Sequence, residues 1–154
     1  MSFSRKAALA LTGIAALAMP LAVAGSASAS TDARCTVTPL KPVLDHLNSS
    51  GEKVIRYETE VTCSAGRSIE ILDERRDHDN LSTDDFEGSN TYNLRFDSAG
   101  TVTKYALAVL PDADGWGDDN EEMYHSVGFQ VTEDSGYVSS WTNWDDSEIV
   151  TFHL

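Results

Sequence analysis

The chain has 154 residues, with 25 Asp and Glu against 11 Lys and Arg and a formal net charge of −14 at pH 7. That balance excludes nucleic-acid binding through phosphate neutralisation and docking on an anionic membrane, both of which need a basic surface. A hydrophobic fraction of 41% is too high for a disordered acidic chain, and the length suits one domain.

Residues 1–29 read as a secretory signal peptide. Arg5 and Lys6 precede an apolar run from Ala7 to Ala24, and Ala27-Ser28-Ala29 supplies the small residues of a cleavage site. The competing reading is a membrane anchor, since a run of about 18 residues sits at the lower limit for spanning a bilayer. The run is rich in alanine and interrupted by Pro20, which favours cleavage. The expected product is a secreted single domain over 30–154. Cleavage removes two basic residues and no acidic one, taking the net charge from −14 to −16.

The mature chain then starts with a short polar arm, Ser30, Thr31, Asp32, Ala33 and Arg34, tethered at Cys35. Such arms usually fray. The functional alternative is an arm that enters a partner's cleft or adds a strand to a partner's sheet, with Arg34 as its charged anchor.

Cys35 and Cys63 are the only cysteines. In an exported chain an even pair reads as one disulfide rather than two free thiols, and without a clustered histidine it is not a metal site. Residues 52–63 alternate, with Ile55, Tyr57, Thr59, Val61 and Cys63 on one face. Asn48-Ser49-Ser50-Gly51 is a turn signal. A hairpin centred on Ser49 sets Cys35 opposite Cys63, Val37 opposite Val61 and Val43 opposite Ile55. Pro39 and Pro42 predict a kinked edge strand in the first arm, and Pro42 to Leu47 has room for one helical turn.

Further along, Ile69 and Ile71 mark a strand over 67–73, and the polar stretch Glu74 to Asn90 reads as a long loop. Tyr92, Leu94 and Phe96 alternate, and Asp97-Ser98-Ala99-Gly100 is a turn. Val102 to Leu110 is a strand with Tyr105, Leu107 and Val109 on one face. Met123 to Val131, Gly136 to Trp144 and Glu148 to Leu154 complete the set. Seven or eight short strands separated by turns predict an all-β antiparallel sandwich, with an immunoglobulin-like architecture among the options.

Two acidic clusters invite a metal reading. In 112–122, Asp112, Asp114, Asp118 and Asp119 alternate with glycines, as oxygen ligands around a hard cation such as calcium would. The EF-hand spacing fails, because Trp116 and Met123 fall where carboxylates are required. The competing reading is a solvated loop, with no cofactor. Asp73, Asp77, His78 and Asp79 form the second cluster, again with a solvated loop as the alternative.

No nucleophile motif is present, and the four histidines lie in separate segments. His125 alternates with Met123, Val127 and Phe129, as a satisfied core histidine would. The expectation is therefore not an enzyme. On a strand, Tyr137 and Trp141 share one face and Trp144 takes the other, so one tryptophan belongs to the core and the other is free to act as a contact residue. Trp116, between two glycines, is read either as a core cap or as a contact residue.

In its layout, a short arm 30–34 ahead of Cys35 and a Cys35–Cys63 sandwich, the chain resembles the small adaptor subunits of bacterial umbrella toxin particles. In those secreted antibacterial assemblies a small subunit links a lectin-bearing, trypsin-like protein to a large toxin core. The resemblance implies that the arm around Arg34 enters the partner's inactive protease cleft. The functional expectation is a secreted, non-enzymatic protein that works by protein–protein contact, with Thr31, Asp32, Ala33, Arg34, Trp116 and Trp141 as contact residues. The alternatives are an acidic inhibitor of a basic secreted hydrolase, captured by electrostatic steering, and a calcium- or carbohydrate-binding module.

Overall fold

The computed structural model describes residues 29–79, 83–111 and 120–153. In chain order these form β1 (Ser30–Asp32), β2 (Cys35–Pro39), β3 (Val43–Leu47), β4 (Lys53–Cys63), β5 (Arg67–Asp77), β6 (Asp85–Phe96), β7 (Gly100–Val109), β8 (Asn120–Glu133), β9 (Asp145–Asp146) and β10 (Val150–His153). The fold is all-β and every pairing is antiparallel. Ten strands stand among the described residues, where seven or eight were expected.

β4 is the centre of one five-stranded sheet. One edge pairs with β7 from Val54↔Val109 to Cys63↔Gly100. The other pairs with β2 and β3, laid end to end, and β1 borders β2. The expected register holds for Cys35↔Cys63 and Val37↔Val61, and the disulfide forms there. It does not hold beyond the prolines. Val43 pairs with Arg56 rather than Ile55, and the register shifts again between Leu44 and His46. Pro39 and Pro42 lack ladder donors, so the chain leaves β4 and rejoins it out of step. Residues 43–47 are strand, not a helical turn.

The second sheet runs β10-β8-β5-β6, with β9 also on β8. β5 continues to Asp77 and β6 starts at Asp85, so most of the stretch expected as loop is strand. The Gly136–Trp144 strand is not formed. Its place beside β8 is taken by an irregular segment with one isolated bridge, Thr132↔Val138. Hydroxyl groups replace the missing ladder there: Val131 N donates to Ser139 Oγ, Phe129 N to Thr142 Oγ1 and His125 N to Ser147 Oγ. Paired backbone groups remain obligatory even where the strand is broken.

Two apolar clusters fill the space between the sheets. The larger surrounds the disulfide and includes Val37, Val61, Ile69, Ile71, Phe129 and Val131. The smaller contains Ile55, Tyr57, Leu110 and Met123. β2 faces β8 and β9 across the core, and the short link 97–99 puts β6 and β7 on the same side. β7 and the segment after β8 therefore occupy opposite edges of the sandwich.

Candidate protein-binding surfaces

The N-terminal arm is folded, not free. Thr31 and Asp32 lie in β1, opposite Thr36 and Cys35. Thr31 Oγ1 and Thr36 Oγ1 bond across the pair at 2.9 Å. Ala33 and Arg34 form the connecting two-residue turn with φ of 44° and 63°. Such a turn needs left-handed backbone at both positions and normally uses Asn-Gly. Here two ordinary L-residues are held by their surroundings. Arg67 Nε donates to Ala33 O at 3.0 Å, and Ser64 N donates to Arg34 O at 3.1 Å. The Cys35–Cys63 bond fixes the residue that follows the turn. The Arg34 side chain is exposed at its tip.

Arg67 connects this tip to the segment after β8. Its Nη2 pairs with Glu133 Oε1 at 3.0 Å, and Glu133 N donates to Tyr137 O. From Tyr137 onward runs a strip of exposed apolar side chains: Tyr137, Val138, Trp141, Trp144 and Ile149. The expectation that one tryptophan belongs to the core is overturned, because Trp141 and Trp144 are 46% and 48% exposed. The segment lies outside β8, so neither ring reaches the space between the sheets. The six-membered ring of Trp144 rests over Gly128, 3.6 Å from where a Cβ would stand.

A second exposed surface lies on the opposite edge. β7 turns Tyr105, Leu107 and Val109 outward, 58%, 46% and 46% exposed, while its inward row includes Ala106 and Ala108. No strand among the described residues pairs with its outer edge. Composition alone would turn the larger side chains inward, so this surface was not legible as exposed. The signal was the alanine row that alternates with them.

The buried polar residues form a separate constellation. His125 on β8 is fully buried, with Nδ1 2.8 Å from Asp73 Oδ1 and Nε2 2.8 Å from Leu40 O. Asp73 Oδ2 accepts from Thr59 Oγ1 at 3.2 Å. The network ties β5 and β8 to β4 and to the link between β2 and β3. Its closure to solvent and the occupied Nε2 give no route to a substrate, so the satisfied core histidine is observed. Nearby, the Arg75 guanidinium lies 5.9 Å from the centre of the Tyr57 ring and bonds Asn90. Gly88 (φ 131°) provides the backbone bend beside the bulge at Arg75 and Arg76.

The Asp73–Asp79 cluster is spread along β5 and past its end, each member with its own partner. Asp73 serves His125, Asp77 Oδ1 accepts from Glu122 N, and His78 turns to Asp84. A hydrogen bond from the Tyr124 hydroxyl holds the Asp84 carboxyl below its usual range. Among the described residues no three His, Cys, Asp or Glu side chains group as metal ligands. Asp112, Asp114, Trp116, Asp118 and Asp119 lie outside the described residues, as does the signal-peptide region through residue 28. No helix among the described residues is long and apolar enough to cross a membrane.

A shallow depression of about 330 Å³ marks the outer face of the second sheet, lined in part by Glu70, Asn93, Arg95 and Gln130. Its one cation, Arg95, is already paired with Asp97 and Asp134 at 3.0 and 2.6 Å.

No protein-family model matches the chain, and no curated protein matches it. Among solved structures, it is similar to a target of the Northeast Structural Genomics Consortium determined by X-ray methods. The identity is 14% and the TM-score 0.37, covering 81% of this chain and 88% of the other.

Proposed function

We propose that this is a secreted, non-enzymatic adaptor that joins two other proteins within an extracellular complex, of which an antibacterial toxin particle is one form. The observation that carries the reading is the pair of exposed apolar surfaces on opposite edges of one small sandwich. One combines the hairpin tip at Arg34 with the strip from Tyr137 to Ile149, and the other is the outward face of β7. Exposed aromatic residues anchor interfaces because they bury a large area with few rotatable bonds. An inhibitor of one enzyme needs one such surface, whereas an adaptor needs two that do not overlap.

The charge sets the kind of partner. A net charge of −14 favours cationic proteins through long-range steering, an effect that falls with salt. The test is affinity purification of the tagged protein from culture supernatant, with Trp141→Ala and Tyr105→Lys/Leu107→Lys compared with the unaltered chain. Two recovered proteins are expected, each lost with a different variant. Recovery of a single basic enzyme, lost with both variants, would overturn the adaptor in favour of the inhibitor.

A further inference from the structure

We infer that the outer edge of β7 accepts an extended, basic segment of a partner protein as an additional strand of the first sheet. The inference builds on the reading of β7 as a partner surface and specifies how that surface binds.

A long bare edge is normally protected by proline, by bulges, by charge or by shortness. β7 carries one of these protections, a single lysine, and lacks the others. It runs ten residues, from Gly100 to Val109, and pairs with β4 without a register shift. It contains no proline, and its single charged residue, Lys104, sits in the inward row. The other sheet margins are treated differently. β1 and β9 are three and two residues long, β3 is irregular at Leu44/His46, and the twelve-residue β6 carries Asp85, Glu87 and Arg95 and a register shift opposite Arg75/Arg76. Strand addition uses such an edge directly, with main-chain hydrogen bonds for affinity and alternate side chains for specificity.

Charge identifies the occupant. The outward neighbours of β7 on β4 include Glu58 beside Tyr105 and Glu60 beside Thr103. Glu58 is paired with Arg56 at 3.3 Å, whereas Glu60 is exposed and has no ion-pair partner among the described residues. Lysine or arginine on an incoming strand reaches these carboxylates across the β7 row. Tyr105, Leu107 and Val109 receive its apolar side chains. A second copy of this chain is disfavoured as the occupant, because each copy brings a net charge of −14.

The test is amide hydrogen exchange of the full secreted chain, read residue by residue, with and without a blocked peptide of alternating Val and Lys at millimolar concentration. In the free protein, alternate β7 amides that point away from β4 should exchange fast. The peptide should protect those amides and leave the other edges unchanged, with binding weakened about tenfold or more by high salt. A Glu-for-Lys peptide and a proline-interrupted peptide serve as controls and should give no protection. Slow exchange at the β7 edge in the free protein would mean that the chain covers it itself and would overturn the inference. Protection elsewhere, or none, would do the same. The assay reads only this edge. A failure to recover two partners therefore counts against the adaptor, and a failure of β7 protection counts against strand addition.

Discussion

His125 Nδ1 lies 2.8 Å from Asp73 Oδ1, with both side chains fully buried between the sheets. Leu40 O can only accept, so His125 donates to it from Nε2 and turns Nδ1 to the Asp73 carboxyl. A buried pair of this kind is costly to break because the survivor keeps its desolvation penalty. Asp73→Ala strands both the imidazole and the Thr59 hydroxyl and should cost about 3–5 kcal/mol. Thr59→Val removes one hydrogen bond and should cost about 1 kcal/mol. Urea unfolding measures both, and Asp73→Ala/His125→Ala should cost less than the sum of its single substitutions. Additive costs would mean that the two side chains do not depend on each other.

The buried phenols set the alkaline limit of stability. Burial pushes the Tyr57 and Tyr124 hydroxyls above the ordinary tyrosine range and Tyr92 up to about 12. These groups hold their protons longer when folded than when unfolded. Their contribution is therefore complete below about pH 10 and is lost as pH rises toward the folded values. Absorbance at 295 nm followed together with circular dichroism should show part of the tyrosine ionising only as the fold is lost. Ionisation of every tyrosine before any loss of structure would contradict this.

Much of the fold was legible where apolar alternation and covalent chemistry agreed. Cys35↔Cys63 and Val37↔Val61 fix one register because both pairs need the same face. Legibility ended at Pro39 and Pro42, where the missing donors let the chain slip by one residue before Val43. The end of β5 was hidden because Asp73, Arg75 and Asp77 carry charge on the row that continues Ile69 and Ile71, so the apolar alternation stops there. The segment around Trp141 imitated a strand, yet Ser139 and Thr142 supply the bonds a strand would have made. Of the candidate surfaces, an exposed tryptophan was foreseen, whereas the folded arm was not. Ala33-Arg34 carries none of the usual signature of the turn it forms.

The disulfide joins β2 to β4 beside the larger apolar cluster, closing a loop with a sequence separation of 28. Its main effect is to limit the unfolded chain, by roughly 3–4 kcal/mol on the chain-entropy model. Cys35→Ala/Cys63→Ala should lower the unfolding free energy by about that amount and loosen the β1–β2 hairpin first, because the bond ties its turn end to β4. Hydrogen exchange of the Val37 amide, opposite Ser30, monitors the hairpin directly. Unchanged exchange there, with stability lost elsewhere, would show that the hairpin stands without the bond.

Arg34 separates folding from binding in a single side chain. At φ 63° an L-residue other than glycine pays a steric cost of roughly 1–2 kcal/mol. Arg34→Gly removes that cost and the exposed guanidinium together, while the entropy of an added glycine offsets part of the gain. The net expectation is a gain of up to about 1 kcal/mol in urea unfolding. If the hairpin tip anchors a partner, the same variant should recover less of that partner from culture supernatant even though it is more stable. Ala33→Asn is the control: asparagine tolerates the left-handed region and leaves Arg34 in place, so stability should rise with partner recovery intact. Equal recovery by Arg34→Gly and the unaltered chain would remove Arg34 from the contact and leave the strip from Tyr137 to Ile149 to carry that surface alone.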